Sequence, residues 1–158
     1  MTRTMKTALA LCVVLPGAAV EARADCQYVR GSIAETRISL GTEPTRILGT
    51  VTGVLNGAVT VTLLSPPPNV RSLDIFVTKS GDVLRAEGIP TRTAIPGAPP
   101  GEFTTHVDLT ITGGFGKYEG AYGTMESDGL SHTAAVPPTT EFIYKGTVCG
   151  PNVKGDGN

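Results

Sequence analysis

Phe103–Thr112 alternates sharply between apolar and polar residues, without a break from His106 on. Val107, Leu109 and Ile111 fall on one face, and His106, Asp108, Thr110 and Thr112 on the other. Strict alternation is the mark of a strand with one face in a core. The same period of two recurs along the chain. Ile47–Leu55 (ILGTVTGVL) and Ala58–Leu64 (AVTVTLL) are rich in β-branched residues and are separated by Asn56-Gly57, a strong hairpin signal. A two-residue turn there sets Leu55 opposite Ala58 and Gly53 opposite Thr60. One face then carries Val51, Leu55, Ala58 and Leu64, and the other Leu48, Val54, Val59, Val61 and Leu63. Neither face is polar, so this hairpin is expected to be covered on both sides.

Ser65–Asn69 (SPPPN) interrupts the pattern, and Ser72–Lys79 resumes it with Leu73, Ile75 and Val77 on one face. Ser80-Gly81-Asp82 predicts a turn and Val83–Ile89 a return strand. Pro90–Gly101 holds Pro90, Pro96, Pro99 and Pro100 and reads as a long loop. Lys117–Ser127 and Thr140–Cys149 (TEFIYKGTVC) supply the last two strands, with Ala134–Pro138 as loop. No segment keeps a helical period for more than about two turns. Seven or eight strands joined by turns predict an all-β sandwich or closed barrel. Closure removes the exposed edges on which strands of other chains pair.

The N-terminus has a different character. MTRTMK carries Arg3 and Lys6, an apolar run follows from Ala8 to Val20, and Ala22-Arg23-Ala24 forms a small-residue cleavage pattern. These features predict a cleaved signal peptide over residues 1–24 and a secreted or periplasmic product. The run is too short to span a bilayer, and no second apolar run follows, so no stable membrane anchor is expected after processing. One domain is expected over residues 25–150, with 151–158 a flexible tail. Cys12 leaves with the signal. Cys26 and Cys149 remain near the two ends of the domain and are expected to pair in an oxidising compartment. That disulfide would close a loop of roughly 120 residues, worth about 4–5 kcal/mol in the chain-entropy model.

Charge and composition exclude more than they assign. The formal net charge is −1 with no basic block, which argues against nucleic acid. With 40% hydrophobic and 17% charged residues, the chain can bury a core. The glycine-rich stretch Ile111–Gly123 (ITGGFGKYEGAYG) lacks the ending of a phosphate loop and is not followed by a helix. Its glycines instead predict a tight turn at Gly113–Gly116. In the strand that follows, Tyr118, Gly120 and Tyr122 share a face.

The stretch ITGGFGKYEGAYGTM resembles the ITGGTGxFxxARG-type segment of plant dirigent proteins and allene oxide cyclases. It is most similar to the small exported bacterial proteins described as allene oxide cyclase barrel-like. The ending EFIYKGTVC suits the final strand of that group. The resemblance is specific over Asp108–Met125 and general over Ile47–Ile89 and Thr140–Cys149. Phe115 and Tyr122 stand where threonine and arginine are common in the dirigent version. It implies an eight-stranded antiparallel β-barrel, calycin-like, with an apolar cavity and often a homo-oligomer, trimer or dimer. It carries no catalytic residue across.

Candidate chemistry is sparse. Tyr118, Tyr122 and Tyr144 are expected to face a ligand with their hydroxyls, and Glu87, Glu119 or Glu126 to supply a base whose pKa rises on burial. The catalytic candidates are Tyr118, Tyr122 and Glu87. His106-x-Asp108 shares a strand face, and Ser131-His132 lies in an expected loop. Neither is a metal site or a triad by spacing alone, and no cofactor motif occurs. The expected function is binding of a hydrophobic small molecule in the barrel. The alternatives are a cyclase or isomerase acting on a reactive hydrophobic substrate, and a structural or protein-interaction barrel without ligand.

Overall fold

The computed structural model describes residues 25–38 and 44–154. The predicted signal segment and residues 155–158 lie outside the described residues. The chain forms eight antiparallel strands: β1 (Asp25–Arg37), β2 (Arg46–Val51), β3 (Gly57–Leu63), β4 (Ser72–Thr78), β5 (Val83–Ala94), β6 (Glu102–Phe115), β7 (Tyr122–His132) and β8 (Thr139–Gly150). Each strand pairs with the next, and β1 pairs with β8 along Asp25–Thr36, so the sheet closes into a barrel. Closure pairs both edges of every strand, which an isolated β-meander cannot do.

Two single-turn 3₁₀ segments, Gly53–Leu55 and Gly116–Tyr118, plug one end. Leu55, Tyr118, Val29, Val51, Val59, Phe76, Leu84 and Val148 are buried there in one apolar cluster. Val153 joins it at 1% exposure, so the first residues of the expected tail belong to the fold. Cys26 and Cys149 are direct partners across β1 and β8, with Cα atoms 4.0 Å apart, and form a disulfide. The expected staple between first and last strands is therefore present.

The β2–β3 connection corrects the hairpin expectation. Val51 pairs with Gly57 and Thr50 with Ala58, and residues 52–56 form the connection. Asn56 follows the 3₁₀ turn, and the pair Asn56-Gly57 is not a two-residue turn. Ala58 thus faces Thr50 in place of Leu55, a shift of five residues, and an odd shift changes which residues of the two strands share a face. Ile47 and Val51 now join Val59, Val61 and Leu63 inside, while Thr50, Ala58 and Thr60 face out. The face that looked doubly apolar is an ordinary core face, and no second cover is needed. Burial of Leu55 in the plug outweighs the local turn preference.

The glycine stretch also differs from a turn followed by a strand. β6 runs on through Gly113 and Gly114 to Phe115. Arg85 pairs with Gly113 and Ala86 with Ile111, which leaves Thr112 as the extra residue of a β-bulge. Gly113 has φ of 126°, a conformation that L side chains rarely adopt. Tyr118 lies in the plug and Tyr122 begins β7, so the two rings do not share a face.

Candidate functional site

The end opposite the plug is hollow. A cavity of about 430 Å³ opens there, walled by Ile33, Ile47, Val61, Val107, Leu109 and Phe142 among its apolar residues. A smaller hollow of about 290 Å³ shares Glu35, Arg37 and Arg92 with it at the mouth. Loops from Ser65 to Pro68 and from Thr133 to Pro138 contribute to the rim. The size is that of a small-molecule site.

The two acids of the cavity come from two strands. On β4 the inward residues are Ser72, Asp74, Phe76 and Thr78, all buried. Leu73, Ile75 and Val77 point outward, the reverse of an ordinary core strand. On β1, Ile33 and Glu35 point inward, and Glu35 is 8% exposed. Gly49 makes room for it: a Cβ there would lie 2.9 Å from Glu35 Cγ and from Val59 Cγ1. On the far wall Thr105, Ser131 and Thr140 form a row of hydroxyls across β6, β7 and β8. Ser131 Oγ lies 2.7 Å from Thr105 Oγ1 and 3.1 Å from Thr140 Oγ1.

Burial in this apolar setting disfavours charge on both carboxyls. Glu35 is pushed from 4.5 to about 8, first by burial and then by the nearby charge of Asp74, with Arg92 pulling the other way. Asp74 is pushed from 3.8 to about 6 by burial, held back by a hydrogen bond from Ser72. Burial and the neighbouring charge of Arg37 lower Arg92, and Glu35 opposes them. Near neutral pH the cavity therefore holds a protonated Glu35 beside an ionised Asp74. One donates a proton and the other accepts one. Asp74 Oδ1 and Ser127 Oγ are buried with no hydrogen-bond partner in the protein.

The residues proposed from sequence lie elsewhere. Tyr144 is buried in the plugged half, where its hydroxyl accepts from the Leu55 N–H at 3.0 Å and donates to the Thr52 carbonyl at 2.9 Å. Tyr118 is buried in the plug, with Lys117 Nζ 4.8 Å from its ring centre. Tyr122 is exposed on the outside. None of the three lines the cavity. Glu87 pairs with Arg71 and Glu126 with Lys145 on the outer surface, and Glu119 lies between the plug and β7. His106 faces out between Asp128 and Asp108, at 2.7 and 3.2 Å, and these hydrogen bonds raise its pKa. Ser131 and His132 end β7 instead of lying in a loop.

Glu35 and Asp74 were not singled out from sequence. Asp74 carries one readable signal: it is an acid in the middle of the strand SLDIFVT. Glu35 lies between Cys26 and Thr45, where the sequence shows no clear strand pattern.

Among the described residues, no group of three or more His, Cys, Asp or Glu could hold a metal ion. No described helix is long and apolar enough to cross a membrane. No protein-family model, curated protein or solved structure matches the chain.

Proposed function

We propose that this protein is an exported barrel that binds a hydrophobic small molecule in the cavity at its open end. The observation that carries this reading is the cavity itself: about 430 Å³, with apolar side chains such as Ile33, Val61, Leu109 and Phe142 interleaved with polar groups at fixed positions. Core voids cost stability, so a cavity of this size is better accounted for by a binding role than by packing alone. The resemblance of Ile111–Met125 to allene oxide cyclase barrel-like and dirigent proteins supports the same reading. Export to a secreted or periplasmic location is supported by the Cys26–Cys149 disulfide together with the leader-like N-terminus.

Native mass spectrometry of the mature protein tests the proposal and reads the oligomeric state, monomer, dimer or trimer. A retained small molecule, displaced when Leu109→Trp fills the cavity, is the expected result. Absence of any retained ligand, with no binding of Nile red, sinks it.

A second reading, a cyclase or isomerase, is favoured by one observation. Glu35 and Asp74 supply a carboxyl pair of opposite protonation state near neutral pH inside a cavity that can hold a folded substrate. Binding of a substrate with no turnover in wild type would leave the binding reading alone.

A further inference from the structure

We infer that the cavity recognises a ligand bearing a neutral hydroxyl group, which donates a hydrogen bond to Asp74 Oδ1. The inference rests on the ligand-binding reading above and adds the chemistry of the head group.

Asp74 is 6% exposed and Ser127 2% exposed. Both line the cavity, from β4 and from β7. Asp74 Oδ1 and Ser127 Oγ are each buried without a hydrogen-bond partner in the protein. Buried polar atoms are nearly always paired, and an orphaned one is costly. The neighbouring hydroxyls of the cavity do pair: Ser131 lies within hydrogen-bond distance of both Thr105 and Thr140. Of the three orphaned atoms among the described residues, the Tyr118 hydroxyl lies in the plug, and the other two, Asp74 Oδ1 and Ser127 Oγ, belong to residues that line the cavity. A carboxylate oxygen only accepts, so Asp74 Oδ1 calls for a donor. A serine hydroxyl donates or accepts, so Ser127 suits an oxygen of the same molecule.

Charge decides between a hydroxyl and an ammonium donor. The charged and titratable groups on the cavity lining are Glu35 and Arg37 from β1, Asp74 from β4 and Arg92 from β5. At pH 7.5 Glu35 is largely protonated and Asp74 ionised, so the arginines outnumber the negative charges. A cationic head would enter a region already positive. A carboxylate head would be drawn to Arg37 and Arg92 at the rim, but it cannot donate to Asp74. A neutral hydroxyl on an apolar body meets the walls, the orphaned acceptor and the charge balance together.

The test uses the full mature protein with Nile red as reporter and four competitors of one chain length: 1-decanol, decyl methyl ether, decylamine and decanoate, all at pH 7.5. The expected result is that decanol displaces Nile red at a concentration about tenfold or more below the ether, the scale of one hydrogen bond to a charged acceptor. The amine and the carboxylate should both be weaker than the alcohol. Asp74→Asn, which brings its own donor, should shrink the alcohol-to-ether ratio to within about threefold, and Ser127→Ala should weaken alcohol and ether alike, since the oxygen of either can accept from the serine hydroxyl, and leave their ratio in place. Equal displacement by alcohol and ether in the wild-type protein overturns the inference, with no variant needed. So does an amine or a carboxylate that binds more tightly than the alcohol. Nile red binding with no head-group preference refutes this inference and leaves the binding reading standing. No binding of Nile red or of any competitor refutes both.

Discussion

Glu35→Gln should remove much of the pH dependence of folding stability above pH 6. The wild-type reasoning starts from linkage. Between 4.5 and about 8 the unfolded chain has released the Glu35 proton while the folded chain keeps it. The native state then binds more protons, so stability falls as pH rises, at about 1.4 kcal/mol per pH unit. The loss begins near pH 4.5, is complete near pH 8 and totals about 4–5 kcal/mol at that slope. Asp74 adds a similar decline between 3.8 and about 6, roughly 3 kcal/mol in all. From pH 6 to pH 8 Glu35 is the main contributor, with His106, raised above 6.5 at the surface, adding to the decline in the same direction, and Glu35 alone should cost the wild-type protein about 2–3 kcal/mol. That is a large share of the stability of a small domain. Glutamine has nearly the same shape and no charge to desolvate. Urea unfolding with the disulfide intact, at intervals from pH 5 to pH 9, gives the free energy by linear extrapolation. The variant should fall much less steeply than wild type from pH 6 to pH 8, keeping only the decline that His106 contributes, and be more stable than wild type at pH 8.5, with the m-value unchanged. Parallel curves for the two proteins over that range would refute the assignment of Glu35 as a buried, proton-retaining acid.

Tyr144→Phe should cost about 1–3 kcal/mol in the same unfolding assay, because the Leu55 N–H loses its buried acceptor and the Thr52 carbonyl its donor. Reduction of the Cys26–Cys149 bond, or Cys26→Ser, should lower stability by about 2–5 kcal/mol; an unchanged urea midpoint would show that strand pairing alone holds β1 to β8. Gly49→Ala should destabilise by about 1–3 kcal/mol by crowding Glu35 and Val59, and a neutral result would mean that the Glu35 side chain lies elsewhere. His106, followed by NMR, should titrate above 6.5, and Asp128→Asn should bring its midpoint down.

What could be read from sequence tracked how far each segment obeys one simple rule. β6 obeys it from His106 to Ile111: Val107, Leu109 and Ile111 fill the interior and His106 and Asp108 face out, as the alternation predicts. The closed eight-stranded barrel followed from many such strands and from the motif around Gly113. The Cys26–Cys149 pairing followed from compartment and position. β2 and β3 were legible as strands, but their register was not. Leu55 leaves the sheet to seal the barrel, and a local turn signal carries no information about that distant packing. β4 misled for a physical reason. A strand lining a cavity with polar contents turns Ser72 and Asp74 inward and exposes apolar residues, which inverts the usual code. The tyrosines were sought at a binding site because of their hydroxyls. Two of them instead seal the base, where the Tyr144 hydroxyl serves the backbone of the plug and not a ligand.

The pairing of Asp25 with Gly150 brings the two ends of the folded domain together at the sealed base, on the far side of the barrel from the opening. A tether or fused domain attached at either end would therefore hang from the base and leave the opening unobstructed. If the protein is anchored to a surface through one end, every copy would present its cavity away from that surface. An insertion in the loop from Ser65 to Val70 would do the opposite and stand directly in the path of anything entering.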